Sequence, residues 1–161
     1  MNTAHARLAI VDDHAKFRTV LREAIELMPE VTVAWESDDG LAALDRIATD
    51  PVDLMVIDLS LPGINGIELI RRIGERSTAV KSLVVTGHTE QTYVDDAFAA
   101  GALAYVLKGR PAELRAGIAA ALDDRRYTSP RIHAPDEGGC APAPPSSSST
   151  SSSTSSSSGP R

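Results

Sequence analysis

Short apolar runs alternate along this chain with longer segments in which apolar residues recur every three or four positions. A short apolar run bounded by turn residues is typical of a buried β-strand, and the longer spacing is typical of an amphipathic helix. The alternation occurs five times between residues 7 and 122. The predicted strands are residues 7–11, 31–35, 54–57, 81–85 and 104–107.

Turn and capping residues separate these runs and place the predicted helices. The first helix begins at Ala15 and ends before Pro29, because proline cannot continue a helix. Another helix begins at Ile67 after a loop rich in glycine and proline, and the last begins at Pro111, a residue suited to the first helical position. Gly101 ends the helix that precedes the fifth strand.

Strands that alternate with helices favour a parallel sheet covered by helices on both faces, because each right-handed crossover places its helix on one face. We therefore predict an α/β fold of the doubly wound, flavodoxin-like (βα)5 type. Periodicity does not fix the strand order, but five units with polar residues at the strand ends are compatible with the order 2-1-3-4-5.

The periodic pattern stops near the C-terminus. Residues 134–161 are rich in Ala, Pro, Gly and Ser and include an uninterrupted run of Ser and Thr from Ser146 to Ser158. Such a segment has too little apolar area to offset the entropy that is lost when it becomes ordered. We predict one folded domain, residues 1–126, followed by a linker and disordered tail, residues 127–161.

Composition narrows the functional classes. At 161 residues and 42% hydrophobic composition, the chain suits one domain with an ordinary core. A net charge of −6 argues against binding of nucleic acid through the overall electrostatic field. The single cysteine, Cys140, excludes an internal disulfide framework and offers too few thiolates for a structural zinc site. No apolar run has the length of a membrane span, so we expect a cytoplasmic protein.

Polar side chains stand at the ends of four predicted strands. Asp12 and Asp13 follow the first strand, Asp58 follows the third, and Thr86 and Lys108 follow the fourth and fifth. Each has an ordinary structural explanation: aspartates cap helices and turns, hydroxyls bond to backbone groups, and lysines are commonly solvated. Together, however, these side chains lie at the carboxyl edge of one sheet, where α/β proteins bind ligands. We therefore predict an organised polar site.

Carboxylates that lie close together, as we predict for Asp12, Asp13 and Asp58, can bind a metal ion. They repel one another, so they either share protons or bind a hard divalent cation, and oxygen ligands that leave room for water suit Mg²⁺. With a cation bound, Asp58 can remain ionised and act as a nucleophile toward a phosphoryl group. The charge that develops on the phosphoryl oxygens could then be stabilised by the cation, by Lys108 and by the hydroxyl of Thr86.

Four ordered motifs carry a resemblance to a known family. They are VDDH at residues 11–14, VIDLSLPGINGIEL from residue 56, VVTGH from residue 84 and AYVLKG from residue 104. Over about residues 7–124, the chain resembles the receiver domains of bacterial two-component response regulators. Each motif alone has low specificity, whereas the ordered set is specific.

The resemblance implies a phosphorylation site that uses Mg²⁺. Asp58 would accept a phosphoryl group from a partner histidine kinase and would also face the ion. Asp13 would bind Mg²⁺ directly, and Asp12 would help to hold it, often through water. The backbone carbonyl of Ser60 would be a further ligand.

The resemblance also implies a conformational switch. Lys108 would contact the phosphoryl group, and Thr86 would move to bond to it. Tyr105 matches the aromatic switch position, where the ring rotates inward after the hydroxyl moves; without the resemblance, packing of Tyr105 against a helix would be the simpler interpretation. Phosphorylation would thereby shift a two-state equilibrium that includes the helix predicted at residues 89–100.

Three sequence details are similar to receivers that precede a LuxR-type helix-turn-helix domain: residues 103–107, residues 83–85 and the motif RRYTSPRI from residue 125. A Ser-rich tail stands where that domain would be expected, so we expect no direct DNA binding by this chain. Gly109 follows Lys108 where many relatives have proline, so their cis peptide bond is not expected here. The dimerisation faces typical of the family imply a homodimer linked to phosphorylation.

Two other functional classes are the alternatives to a phosphorylation switch: a phosphatase with an aspartate nucleophile, and a binding module that acts by protein contact. Phosphatases of the haloacid dehalogenase type place a second acid two residues after the nucleophile, where this chain has Ser60, which cannot act as a general acid. We therefore expect no enzymatic activity beyond phosphoryl transfer to the chain itself and autodephosphorylation. A stand-alone receiver that acts by protein contact, or as a phosphate sink, differs from the leading hypothesis only in its output.

Overall fold

A six-stranded parallel sheet forms the centre of the computed structural model, which describes residues 5–77 and 79–133. The strands are β1 (Ala6–Val11), β2 (Val31–Ser37), β3 (Leu54–Ile57), β4 (Lys81–Thr86), β5 (Ala104–Leu107) and β6 (Tyr127–Thr128). They lie in the order β2-β1-β3-β4-β5-β6. The predicted α/β class and the flavodoxin-like order of the first five strands are therefore confirmed.

Helices cover both faces of this sheet. The helices are α1 (Ala15–Glu26), α2 (Gly40–Thr49), α3 (Gly66–Arg76), α4 (Gln91–Ala100), α5 (Pro111–Leu122) and the short α6 (Pro130–His133). The buried residues of α1 and α5 join one apolar cluster, and those of α2, α3 and α4 join a second cluster on the opposite face. Within the part of the chain that the structure describes, no helix has the length and apolar character needed to cross a membrane.

Local sequence explains where several helices begin and end. The side chain of Asp39 accepts hydrogen bonds from two amides in the first turn of α2, and Asn65 accepts one from the amide of Glu68 in α3 (2.8 Å). These side chains satisfy amides that have no partner inside the helix. Gly101 has a φ of +119°, a left-handed conformation that favours glycine, and ends α4. The capped starts fix the loops that lead from the carboxyl ends of the strands into the helices.

The sheet extends beyond the predicted domain. β6 pairs in parallel with β5, and Ser129, which follows β6, is fully buried. The predicted boundary at residue 126 is therefore too early, and residues 127–133 are not a linker. A strand of two residues is too short to form the apolar run by which the other strands are recognised in the sequence. The predicted disordered tail from residue 134 onward lies outside the described residues.

α5 lies unusually close to the sheet at Gly117. A Cβ atom at this position would lie 2.8 Å from Val106 Cγ2 and 3.2 Å from Leu83 Cδ1. Ordinary carbon contacts are about 3.5–4.0 Å long, so a side chain here would force its neighbours to move. The absence of a Cβ atom therefore allows α5 to pack directly against β4 and β5.

We expect Gly117→Ala to destabilise the fold by about 1–3 kcal/mol, because the added methyl group overpacks the contact between α5 and the sheet. Gly74→Ala is the matched control, since Gly74 also lies in a helix, α3, but its Cβ atom would have no neighbour within 4 Å. Its higher helix propensity should stabilise the protein by up to about 1 kcal/mol. Chemical denaturation followed by circular dichroism measures both changes, and equal effects would contradict the packing at Gly117.

Candidate functional site

The ends of β1 and β3 bring carboxylates together. These strands are parallel neighbours in register, so the residues that follow them lie side by side. Asp12, Asp13, Asp58 and His14 each place one potential ligand atom within 4.8 Å of the others. The structure thus brings together the three predicted aspartates and adds His14, to which the sequence assigns no role.

Two of these carboxylates are almost completely buried. Asp12 is 1% exposed and Asp58 is 3% exposed, whereas Asp13 is exposed. One oxygen of Asp12 accepts a hydrogen bond from the amide of His14 (2.8 Å). The other oxygen, Oδ2, has no hydrogen-bond partner among the described residues. The ammonium group of Lys108 lies 3.3 Å from this oxygen, which can still accept a further ligand.

Lys108 supplies positive charge to the site. Its ammonium group donates a hydrogen bond to Asp58 Oδ2 (2.9 Å) and lies 3.3 Å from Asp12 Oδ2, an ion pair without hydrogen-bond geometry. Burial alone would lower the pKa of Lys108, but the hydrogen bond to Asp58 and the charges of both aspartates outweigh burial and raise it. Lys108 therefore stays protonated throughout the physiological pH range.

The ring of Phe17 covers another side of the same ammonium group. The distance from Lys108 Nζ to the ring centroid is 4.4 Å, within the range of cation–π attraction. Phe17 lies in the first turn of α1, close in sequence to Asp13. Its spacing along the chain predicts only that it belongs to the buried face of a helix, so sequence reasoning misses this contact.

The loop that follows β4 connects the predicted switch residues through His88. The amide of His88 donates a hydrogen bond to Thr86 Oγ1 (3.3 Å), and its carbonyl accepts one from the Tyr105 hydroxyl (2.9 Å). Its ring nitrogen Nε2 lies 3.3 Å from Ser60 Oγ, and the ring stacks on Tyr93 with 4.4 Å between centroids. His88 thus links the end of β3 to β4, α4 and β5. The motif VVTGH contains this histidine but gives no sign of these contacts.

Both predicted switch residues lie inside the domain. Tyr105 and Thr86 are each 0% exposed. Burial, and then the nearby Glu90 and Tyr93, raise the pKa of the Tyr105 hydroxyl, which therefore stays protonated and can donate its hydrogen bond. The motion of either residue on phosphorylation stays a prediction.

Ser60 and Gly66 shape the turn that follows Asp58. The amide of Ser60 donates a hydrogen bond to Asp58 Oδ1 (3.2 Å), so this aspartate combines an ordinary turn-capping role with its place in the cluster. A Cβ atom on Gly66 would lie 2.8 Å from the Cα atom of Leu59, so α3 can begin here only with glycine. The predicted role of the Ser60 carbonyl as a metal ligand stays a prediction.

The cluster suits a hard divalent cation. The cluster holds three carboxylates, and the ammonium group of Lys108 pairs with only two of them, Asp12 and Asp58, so the three carboxylates outnumber the one ammonium group. Mg²⁺ prefers oxygen ligands and retains water, which agrees with the exposed position of Asp13 and with the carboxylate oxygens that the cluster offers. The aspartates therefore fit Mg²⁺, and the nitrogen of His14 is not needed as a ligand.

Comparison with known proteins identifies the family. The model of the response regulator receiver domain family matches residues 8–119, a range that contains the carboxylate cluster, Thr86 and Lys108. The chain belongs to this family. The resemblance carried by the four sequence motifs is thereby confirmed.

Curated relatives of this receiver domain are response regulators. It is similar to the response regulator UvrY of Escherichia coli (strain K12), with 33% identity over 124 residues, which are 76% of this chain and 57% of UvrY. It is also similar to the transcriptional regulatory protein DegU of Brevibacillus brevis, with 28% identity over 133 residues. These residues are 82% of this chain and 56% of DegU. The chain spans a little over half the length of these relatives.

A solved structure agrees with the fold and the subfamily. The two-component response regulator of the LuxR family from Aurantimonas sp. SI85-9A1 is 40% identical to this receiver domain, with a TM-score of 0.76. The match covers 79% of this chain and 91% of that one. The predicted similarity to receivers of LuxR-type regulators is therefore confirmed.

Repulsion within the carboxylate cluster can be tested without divalent ions. We expect Asp13→Asn to raise the free energy of unfolding by about 1 kcal/mol at low ionic strength, because it removes one of three mutually repelling charges. Asp96→Asn is the control, since it removes a charge from the exposed face of α4 and should have almost no effect. Chemical denaturation in EDTA measures both, and a loss of stability in Asp13→Asn would argue against a repulsive cluster.

Proposed function

We propose that this receiver domain is a phosphorylation switch. Asp58 accepts a phosphoryl group from a partner histidine kinase with the help of Mg²⁺, and the domain then changes conformation to control an output. The observation that carries this proposal is the contact between the buried carboxylate of Asp58 and Lys108, beside Asp12 and Asp13. Membership of the receiver family supports the same function.

The carboxylate of Asp58 is held for nucleophilic attack. One of its oxygens forms the new bond to phosphorus while the bond from phosphorus to the nitrogen of the donor histidine breaks, and that nitrogen keeps the electron pair. Oδ2 accepts a hydrogen bond from Lys108, and Oδ1 accepts one from the amide of Ser60. These bonds orient the carboxylate, and Lys108 can pair with the phosphoryl oxygens as negative charge develops on them.

Asp12, Asp13 and Asp58 would hold the Mg²⁺ ion, with the carbonyl of Ser60 as a further ligand. When bound, the ion supplies positive charge that neutralises the carboxylates and the transferred phosphoryl group. The burial of Asp12, whose Oδ2 atom accepts no hydrogen bond of good geometry from the described residues, supports this assignment. So does the imbalance of charge, since a single ammonium group cannot neutralise three carboxylates.

The contacts of His88 support a route from Asp58 to the surface formed by α4 and β5. If the hydroxyl of Thr86 turns toward the phosphoryl group, the amide of His88 loses its acceptor. His88 holds Tyr105 through its carbonyl and Tyr93 through its ring, so movement of this loop changes the surroundings of both tyrosines. Phosphorylation would thereby favour a second arrangement of the loop, α4 and β5.

The output of the switch is proposed from the relatives. The name of DegU, a transcriptional regulatory protein, supports control of transcription. We expect the domain to act in the cytoplasm, with a histidine kinase as its partner and with homodimerisation linked to phosphorylation. Action by protein contact alone is the alternative output.

No enzymatic turnover of an external substrate is proposed. Ser60 stands two residues after Asp58, and its hydroxyl contacts His88. A serine hydroxyl is too weak an acid to protonate a leaving group at neutral pH. We therefore propose only phosphoryl transfer to Asp58 itself and autodephosphorylation.

Phosphorylation of Asp58 can be tested with the full chain. In the presence of Mg²⁺ and acetyl phosphate, we expect the protein to gain the mass of one phosphoryl group. Asp58→Asn should gain none, because the nucleophilic carboxylate is lost, and Asp96→Asn, on the exposed face of α4, should gain it as the wild type does. Intact-mass spectrometry provides the measurement, and a gain that survives in Asp58→Asn would refute the assignment.

Mg²⁺ should stabilise the folded domain, because only the folded state assembles the carboxylate cluster. At a free concentration about 100 times its Kd, the ion should add about 2.7 kcal/mol to the free energy of unfolding. Asp13→Asn should reduce this gain, since a ligand is lost, whereas Asp96→Asn should keep it. Thermal unfolding with added Mg²⁺, and then with excess EDTA, measures the effect; an equal rise in Tm in Asp13→Asn would place the ion elsewhere.

A further inference from the structure

The segment Tyr127–His133, through which the chain leaves the sheet, is packed against the domain. Its first two residues form β6 beside β5, and Ile132 packs against the apolar cluster that α4 also covers. Just before the segment, the guanidinium of Arg126 lies 5.2 Å from the ring centroid of Phe98 in α4. The segment therefore depends on both β5 and α4 for its position.

Ser129 anchors this segment. It is 0% exposed, and its amide donates a hydrogen bond to the carbonyl of Tyr105 (2.9 Å). Its hydroxyl donates a hydrogen bond to a carboxylate oxygen of Glu113 in the first turn of α5. The same hydroxyl oxygen accepts a hydrogen bond from the amide of Leu107 (3.0 Å). One serine therefore joins the segment to both β5 and α5.

The bond to Leu107 completes the edge of the sheet. Leu107 is the last residue of β5, but the backbone pairing with β6 ends opposite Tyr105. A buried amide without an acceptor is costly, and the hydroxyl of Ser129 supplies the acceptor that β6 is too short to provide. The next residue along the chain is Lys108. Ser129 thus fixes the backbone immediately before the ammonium-bearing residue of the site.

The same serine also fixes the far end of the loop that carries Lys108. Beyond this loop lies Glu113, whose carboxylate accepts hydrogen bonds from Ser129 and from the guanidinium of Arg110 (3.1 Å). The two ends of the loop, Leu107 and Glu113, therefore meet at one hydroxyl group. Removal of this hydroxyl would weaken both ends together and leave the loop held from the β4 side, where the amide of Lys108 donates a hydrogen bond to the carbonyl of Thr86 (2.9 Å).

From these contacts we propose that Ser129 is a positioning residue for Lys108, and that docking of the segment Tyr127–His133 is thereby linked to phosphorylation of Asp58. This role rests on the function proposed above. With the segment docked, the loop holds Lys108 against Asp58; without it, the backbone of Lys108 is held from the β4 side alone, and its ammonium group is positioned less firmly. Because linkage is reciprocal, a phosphoryl group that Lys108 stabilises also favours the docked segment.

Labelling of the full chain by acetyl phosphate and Mg²⁺ tests this role. At saturating donor, we expect Ser129→Ala to be labelled on Asp58 more slowly, on the order of tenfold, because a misplaced Lys108 stabilises the developing charge poorly. Ser129→Thr keeps the hydroxyl and should restore most of the rate. Glu113→Leu loosens the loop from the α5 side while keeping the bond to Leu107, and should slow labelling in the same direction.

Val31→Ala is the matched control for a general loss of stability. Val31 is buried in β2, the strand at the opposite edge of the sheet from β6. At a temperature where circular dichroism shows every variant to be folded, Val31→Ala should be labelled at the wild-type rate. Ser129→Ala should bind Mg²⁺ at least as tightly as the wild type, because a displaced Lys108 competes less with the ion for Asp12 and Asp58; slower labelling would then not come from loss of the ion.

Hydrogen exchange provides a second readout. Beryllofluoride with Mg²⁺ should slow exchange at the amide of Ser129 in the wild type, because occupancy of Asp58 favours the docked segment. Unchanged exchange in the wild type would overturn the link between docking and phosphorylation, and wild-type labelling of Ser129→Ala would overturn the role of Ser129. Equal slowing of labelling in Val31→Ala and Ser129→Ala would overturn it as well, because the effect would then come from stability alone.

Failure of the phosphorylation function has a different signature. If the wild-type chain is not labelled on Asp58, both the function and the role of Ser129 are refuted. If the wild type is labelled and Ser129→Ala keeps its rate, only the role of Ser129 is refuted. Labelling of the wild type and of Asp58→Asn therefore precedes the comparison of the Ser129 variants.

Discussion

Repulsion among the carboxylates of Asp12, Asp13 and Asp58 is the constraint on which the rest of the site depends. Parallel strands bring these groups within 4.8 Å of one another, and two of them are nearly buried, where solvent screens their charges least. The ammonium group of Lys108 lies within 3.3 Å of Asp12 and 2.9 Å of Asp58 and offsets part of this repulsion. The remaining negative charge suits a hard cation, and that cation would leave Asp58 free to act as a nucleophile.

Because one lysine offsets so much charge, its position matters more than that of any exposed ion pair. The ammonium group of Lys108 lies between Asp58 and the ring of Phe17, and its backbone follows directly after the end of β5. An exposed pair such as Arg125 and Asp123 is solvated, so the fold depends little on its geometry. The site therefore relies on α1, β3, β5 and, through the serine that follows β6, on the segment that leaves the domain.

Much of the fold follows from local pattern, because burial on both faces makes each central strand a continuous apolar run, and burial on one face places apolar residues three or four positions apart in a helix. The pattern predicts β1 to β5 and the five helices that follow them. β6 is not predicted from the sequence, because two residues are too few to form a recognisable apolar run. The strand exists only through its pairing with β5. The location of the polar residues at the strand ends is predictable because the carboxyl ends of parallel strands lie at one edge of the sheet. Asp12, Asp58 and Lys108 are therefore close together when their strands are neighbours or nearly so.

The sequence by itself determined the α/β class, the family and the residues that stand at the sheet edge, since these depend on periodicity and on motifs that are contiguous in the chain. Only the tertiary structure decided which distant side chains meet. The hydroxyl of Tyr105 bonds to a carbonyl 17 residues away, and Ser129 bonds to an amide 22 residues away. Contacts of this kind depend on how crossover helices and strand ends are placed in space. The local sequence around each residue does not specify that placement.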